Sequence, residues 1–114
     1  MAYEQLMRDL RAGDILVLDG ATGTELQRRG APMDPASWCG PATLGNDRLL
    51  QAIHADYILA GSRVVTANTF AASPLMLGPA GLAHRSGEII ERAVAAARAA
   101  RDTTPGGNRV VVAG

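Results

Sequence analysis

The chain has few of the residues that build disulfide frameworks, multi-cysteine metal sites or basic binding surfaces. Its 114 residues include one cysteine, Cys39, which cannot form an intramolecular disulfide or supply a multi-cysteine zinc site by itself. All eleven basic residues are arginines, spread along the chain without a run, and eleven acidic residues balance them. The basic surface of a nucleic-acid-binding protein is therefore missing, and we expect no nucleic-acid partner.

Long apolar runs are also missing. No stretch approaches the roughly 18 uninterrupted apolar residues of a membrane-spanning helix, and the amino terminus carries Glu4 and Asp9 where a secretion signal would be basic. These absences predict a cytoplasmic protein with no membrane partner. The composition that is present, 47% hydrophobic and 19% charged, is that of a globular chain and fits one small domain.

Apolar residues fall into alternating helix-like and strand-like segments. Helical spacing predicts helices at about residues 3–10, 47–60 and 82–101. Short continuous apolar runs predict strands at about residues 15–18, 64–67 and 109–112. Because each run is apolar on both faces, the strands are expected to be covered on both sides, as in a parallel sheet. Residues 31–45, which hold three prolines and the only tryptophan, predict a long loop of the kind that is often functional.

Three parallel strands joined through helices fit either a doubly wound α/β sheet or the opening third of an eight-stranded barrel. Such a barrel takes ~250 residues, more than the 114 of this chain. Three strands alone leave two edges unpaired and one apolar face uncovered. We therefore expect an incomplete α/β architecture, the first three strands and intervening helices of a (β/α)8 barrel. It would associate as a homo-oligomer or be completed by further chain.

Polar residues follow the first two predicted strands at the point where each strand ends. Asp19 and Gly20 come after the first strand, and Asn68 and Thr69 after the second. Neighbouring parallel strands lie ~4.8 Å apart, so these residues should share the rim where α/β folds bind ligands. The carboxylate suits the ammonium group of an amino acid, and the neutral Asn68 and Thr69 suit its carboxylate. An Asp-Gly pair after a strand is also a common turn, and both interpretations stay open.

Four other side chains have simpler interpretations. His54 stands beside the apolar stripe of its helix, which predicts a hydrogen-bonded packing role, and Tyr57 is assigned to the core. Trp38 either anchors its loop or forms a pocket wall, and we favour the anchor. Cys39 is expected to be a buried or half-buried small residue.

Two other chemistries do not fit the residues after the first strand. A phosphotransferase of the haloacid dehalogenase type also has an aspartate there, but it needs a second acidic residue two positions later, where Ala21 stands. A nucleotide-binding loop needs the Gly-x-Gly-x-x-Gly spacing or a Gly-Lys-Ser/Thr sequence. Gly20 and Gly23 provide neither.

Several segments, taken in order, carry a family resemblance. They are Asp19-Gly20-Ala21-Thr22-Gly23-Thr24-Glu25-Leu26, Trp38, His54-Ala55-Asp56-Tyr57, Ala60-Gly61 and Thr66-Ala67-Asn68-Thr69-Phe70. In order and spacing they resemble the start of the homocysteine S-methyltransferase family. The resemblance runs from about Ile15 to the last residue.

The resemblance implies a zinc-dependent (β/α)8 barrel that transfers a methyl group from a donor to the thiol of homocysteine, giving methionine. Zinc would hold the thiol as the nucleophilic thiolate. The substrate-binding residues that it implies are Asp19, Gly20, Asn68, Thr69 and Phe70. The family's zinc ligands are cysteines, one on a later strand and an adjacent pair near the C-terminus, none of which is present in these 114 residues. No catalytic residue is assigned. The alternative is a non-catalytic module, truncated or part of a split barrel, that needs a partner chain.

Overall fold

A two-stranded parallel sheet and two long helices form the centre of the computed structural model, which describes residues 1–114. The strands are β1 (Val64–Thr66) and β2 (Val111–Ala113), with Val64 opposite Val111. The helices are α1 (Ala2–Arg11), α2 (Gly23–Arg28), α3 (Asp47–Leu59), α4 (Pro74–Leu77) and α5 (Ser86–Thr103). None of these helices has the length and apolarity needed to cross a membrane.

The first predicted strand is only partly formed. Within residues 15–18, a single bridge joins Leu18 to Val64, and the backbone N–H of Asp19 donates to the Val64 carbonyl at 3.0 Å. Ile15 is 92% exposed and Leu18 64% exposed. The expectation of a strand covered on both faces is therefore wrong for this segment, because no neighbouring element packs over these side chains.

Two other predicted elements begin later than expected, for local reasons. β2 begins at Val111 instead of residue 109, because Gly107–Arg109 form a 3-10 turn. α5 begins at Ser86 instead of residue 82, because Ala83–Arg85 form a 3-10 turn. The first and second predicted helices correspond to α1 and α3, with ends that differ by one residue.

The alanine-rich face of α5 packs on α3. The buried alanines of α5 are Ala93, Ala96, Ala97 and Ala100. Small side chains let the two helix backbones approach closely while the fully buried Leu50 and Ile53 of α3 fill the space between them. Arg92 of α5 also forms an ion pair with Asp47 of α3 at 2.6 Å. These contacts fix α3 against α5.

His54 of α3 is fully buried, and neither ring nitrogen has a hydrogen-bond partner. The predicted packing role is confirmed by the burial, but the predicted hydrogen bond is wrong. Burial lowers the pKa of the His54 imidazole, and the negative charge of Asp19 opposes this effect. The folded chain therefore favours the neutral ring.

The neutral, buried His54 should make the protein less stable in mild acid. An unfolded histidine takes up a proton near pH 6.5, whereas the folded protein resists protonation at this site. We expect the free energy of unfolding in urea to fall as the pH decreases from 7.5 to 5. His54→Leu should flatten this dependence, and the exposed His84→Leu should keep it. A His54→Leu variant with the parent's full pH dependence would contradict the assignment.

Candidate functional site

A cleft of about 390 Å³ opens at the end of residues 15–18, called the first segment below, and at the end of β1. It is lined by residues 18–23, 38–39 and 66–70. The structure thus brings together all five residues predicted from the sequence: Asp19, Gly20, Asn68, Thr69 and Phe70. The sequence prediction missed Thr22 and Thr66 as lining residues, because nothing in the local pattern distinguishes a threonine beside a cleft.

The Asp19 carboxylate joins the first segment to β1. Its Oδ2 accepts from the Thr66 backbone N–H at 2.8 Å, and its Oδ1 accepts from the Thr66 hydroxyl at 3.1 Å. The side chain thereby accepts a hydrogen bond from a strand N–H that would otherwise be donated to a backbone carbonyl. The chain can therefore turn away from β1 after Asp19. A carboxylate has about four acceptor positions, so Asp19 can accept from a ligand as well.

Gly20 lies against the ring of Tyr57. A Cβ atom at position 20 would stand 2.8 Å from the tyrosine hydroxyl oxygen. That hydroxyl donates to the Ala21 carbonyl at 2.8 Å, while the ring packs against the core, as predicted. Contact with Tyr57 is thus a structural reason for glycine at this position, alongside the predicted approach of a ligand.

Gly23, at the other end of the same turn, lies under the Trp38 indole. A Cβ atom there would stand 2.8 Å from Trp38 Cη2 and 2.9 Å from Cys39 Sγ. Trp38 has a φ of 50°, in the left-handed region that bulky residues rarely adopt. Two backbone hydrogen bonds of 2.9 Å with Asp34 hold it there. Trp38 both anchors its loop on the turn and lines the cleft, so the two interpretations left open by the sequence apply together.

Asn68 ties the tryptophan loop, defined here as residues 37–43, to the end of β1. Its side chain is buried, and Nδ2 donates to the Cys39 carbonyl at 3.0 Å and to Thr43 Oγ1 at 3.1 Å. Its Oδ1 accepts from the Cys39 thiol at 3.4 Å. Both amide hydrogens are used within the chain, so Oδ1 alone has capacity left for a ligand. Substrate contact by Asn68 stays a prediction.

Thr69 and Phe70 occupy the more open side of the cleft. Thr69 is half-buried, and its backbone N–H donates to the Ala67 carbonyl at 2.8 Å. Phe70 is 89% exposed. The aromatic ring is therefore available to a ligand or to another element, and its predicted role in substrate binding stays a prediction.

The cleft does not fit a zinc centre. No three histidine, cysteine, aspartate or glutamate side chains converge anywhere in the chain to hold a metal ion. Of the lining residues, only Asp19 and Cys39 are of metal-ligating types. The Asp19 carboxylate already accepts hydrogen bonds from Thr66. Burial raises the pKa of the Cys39 thiol, which keeps the thiol protonated. The lining residues present therefore do not fit a zinc ion.

Comparisons with known proteins agree on one family. A family model described as homocysteine S-methyltransferase matches residues 16–114. Homocysteine S-methyltransferase from Escherichia coli (strain K12) is 33% identical over 106 residues, which cover 89% of this chain and 34% of that protein. Selenocysteine methyltransferase from Astragalus bisulcatus is 32% identical over 93 residues, which cover 81% of this chain and 28% of that protein.

A solved structure shows the same relation in three dimensions. The metallated form of the homocysteine methyltransferase MmuM from Escherichia coli matches with a TM-score of 0.78 at 33% identity. The match covers 89% of this chain and 37% of that one. The chain thus spans about a third of the length of the relatives that it matches.

Proposed function

Because the chain belongs to the homocysteine S-methyltransferase family, we propose that it binds the amino-acid substrate of a methyl transfer to the thiol of homocysteine, giving methionine. The observation that supports this proposal is the cleft at the strand ends, where Asp19 is the only acidic or basic side chain among the lining residues. The parallel pairing of β1 and β2, with α5 between them in the chain, supports a partial (β/α)8 barrel. Further strands, from a longer chain or a second copy, would pair with its open edges.

The cleft suits the groups that all α-amino acids share. The Asp19 carboxylate would accept from the ligand's ammonium group. The Gly20 N–H, which makes no hydrogen bond within the chain, and the Thr69 hydroxyl would donate to its carboxylate. Homocysteine and selenocysteine share these groups and differ in side-chain length and in the sulfur or selenium atom, so these contacts alone do not choose between them.

Methyl transfer also needs a thiolate, since the neutral thiol is a poor nucleophile. In the reaction, the sulfur forms a bond to the methyl carbon, the bond from that carbon to the donor breaks, and the thiol proton is lost. Asp19, the only acidic lining side chain, is assigned to the ammonium group, which leaves no lining residue as a base, and no metal-binding cluster is present. We therefore assign substrate binding, and not thiol activation, to these residues.

Titration of the purified chain with L-homocysteine tests the proposal, with fluorescence of Trp38, the only tryptophan, as the signal. We expect a saturable change and an affinity about tenfold weaker in Asp19→Asn, which keeps an acceptor for Thr66 but loses the charge. Asp14→Asn is the matched control, because Asp14 is an exposed aspartate that makes no side-chain hydrogen bond. An Asp19→Asn variant that binds as tightly as the parent chain would refute the role of Asp19.

The same preparation can be tested for turnover with zinc and a methyl donor. We expect no methionine, because nothing in the cleft activates the thiol. Methionine formation by the chain alone would contradict the assignment of substrate binding without thiol activation to these residues. Activity that requires the addition of a second protein would show that the chain is a module that depends on a partner chain.

A further inference from the structure

We propose that Tyr57 is a positioning residue for the cleft, which holds the turn after Asp19 in its binding shape through its hydroxyl group. The inference rests on the proposed function, since it concerns the same cleft. Tyr57 does not line the cleft, and the sequence pattern assigned it only to the core. Its hydroxyl nevertheless reaches a carbonyl 36 residues earlier in the chain.

The Tyr57 hydroxyl makes the only hydrogen bond that the structure gives to either Gly20 or Ala21. The neighbouring parts of the turn are fixed differently. Asp19 is bonded to Thr66 at one end, and α2 begins at the other end. Without the hydroxyl, the two middle residues would have no polar contact that determines their orientation.

The bond to Ala21 also sets the direction of the next N–H group. In a trans peptide, the C=O and N–H groups point in opposite directions, and the chain contains no cis peptide bond. With the Ala21 carbonyl held on Tyr57, the Thr22 N–H points away from α3. Thr22 lines the cleft. The Tyr57 hydroxyl therefore determines the orientation of the backbone N–H in this part of the cleft wall.

Tyr57 is itself held firmly. Its ring packs against both of the larger core clusters, one around Leu50 and Ile53 and the other around Ile58 and Val65. The next residue back, Asp56, forms an ion pair of 2.8 Å with Arg29, just after α2. Burial raises the pKa of the Tyr57 phenol, and so do nearby negative charges, so the hydroxyl remains a hydrogen-bond donor.

Tyr57→Phe tests the proposal, because it removes the hydroxyl and keeps the ring in the core. We expect homocysteine to bind roughly threefold to tenfold more weakly, as for the loss of one hydrogen bond. Tyr3→Phe is the matched control, since Tyr3 is the only other tyrosine and is 60% exposed. An unchanged affinity in Tyr57→Phe, with a parent chain that binds, would overturn the positioning role.

Amide NMR spectra of the ligand-free chains separate this proposal from the proposed function. We expect the signals of Gly20, Ala21 and Thr22 to shift or broaden in Tyr57→Phe and to stay in place in Tyr3→Phe. Signals that do not change would overturn the proposal whether or not homocysteine binds. If the parent chain binds no homocysteine but these signals respond as expected, the proposed function fails and the ordering of the turn by Tyr57 stands.

Discussion

Gly40→Ala is expected to lose about 3 kcal/mol or more of unfolding free energy, at the high end of the cost of overpacking. Gly40 has ordinary helical dihedral angles, so its backbone does not require glycine. The constraint is space: a Cβ atom would stand 2.1 Å from the Ala71 carbonyl oxygen and 3.2 Å from a Leu77 methyl group. Because the nearer atom belongs to the backbone, the tryptophan loop must move away from Ala71. Urea unfolding of the variant and the parent measures the loss.

Gly87→Ala is the matched control for this substitution. Gly87 lies in α5, and a Cβ atom there would meet nothing within 4 Å. Alanine is a better helix former than glycine, so we expect a gain of about 0.5–1 kcal/mol. If both variants changed stability by the same amount, the close packing of Gly40 on Ala71 would be wrong.

Asn68→Ala is expected to cost about 2–6 kcal/mol of unfolding free energy. The substitution leaves the Cys39 carbonyl and the Thr43 hydroxyl without their amide donor in a buried site, and each unsatisfied group costs about 1–3 kcal/mol. The Trp38 fluorescence should also shift to longer wavelength, because its loop is released toward water. Urea unfolding and the emission spectrum measure the two effects.

Two further comparisons distinguish the structural role of Asn68 from substrate contact. Asn108→Ala, at an exposed asparagine, should change stability by no more than about 0.5 kcal/mol. A role in ligand contact alone predicts that Asn68→Ala weakens homocysteine binding and leaves both stability and emission unchanged. That result would contradict the role of Asn68 in holding the tryptophan loop.

Apolar patterning predicted the main helices and strands, and the polar residues after the first two predicted strands indicated the cleft, because both follow from local rules. Apolar spacing defines α3 and α5, and the geometry of parallel strands brings Asp19 and Asn68 to one edge. The same rules failed for residues 15–18, since an apolar run is buried only where another element covers it. Ile15 has no such cover in this chain.

The roles of Tyr57 and Asn68 could not be predicted from sequence, because each depends on a partner far along the chain. The Tyr57 hydroxyl donates a hydrogen bond to a residue 36 positions away, and the Asn68 side chain donates one to a residue 29 positions away. No periodic pattern encodes such a pair. The unpartnered ring of His54 is similar: burial follows from its place on the helix, but the absence of a partner depends on every neighbouring element.

The bonds between Asp19 and Thr66 have an evolutionary consequence. One carboxylate fastens the first segment to the sheet and also lines the cleft. Under the proposed function, selection for affinity and selection for a stable fold therefore act on the same atoms. A substitution that removes both side-chain oxygens at position 19 would loosen the attachment to β1 and remove the proposed ligand contact together, so a change of substrate specificity is expected from the residues around Asp19.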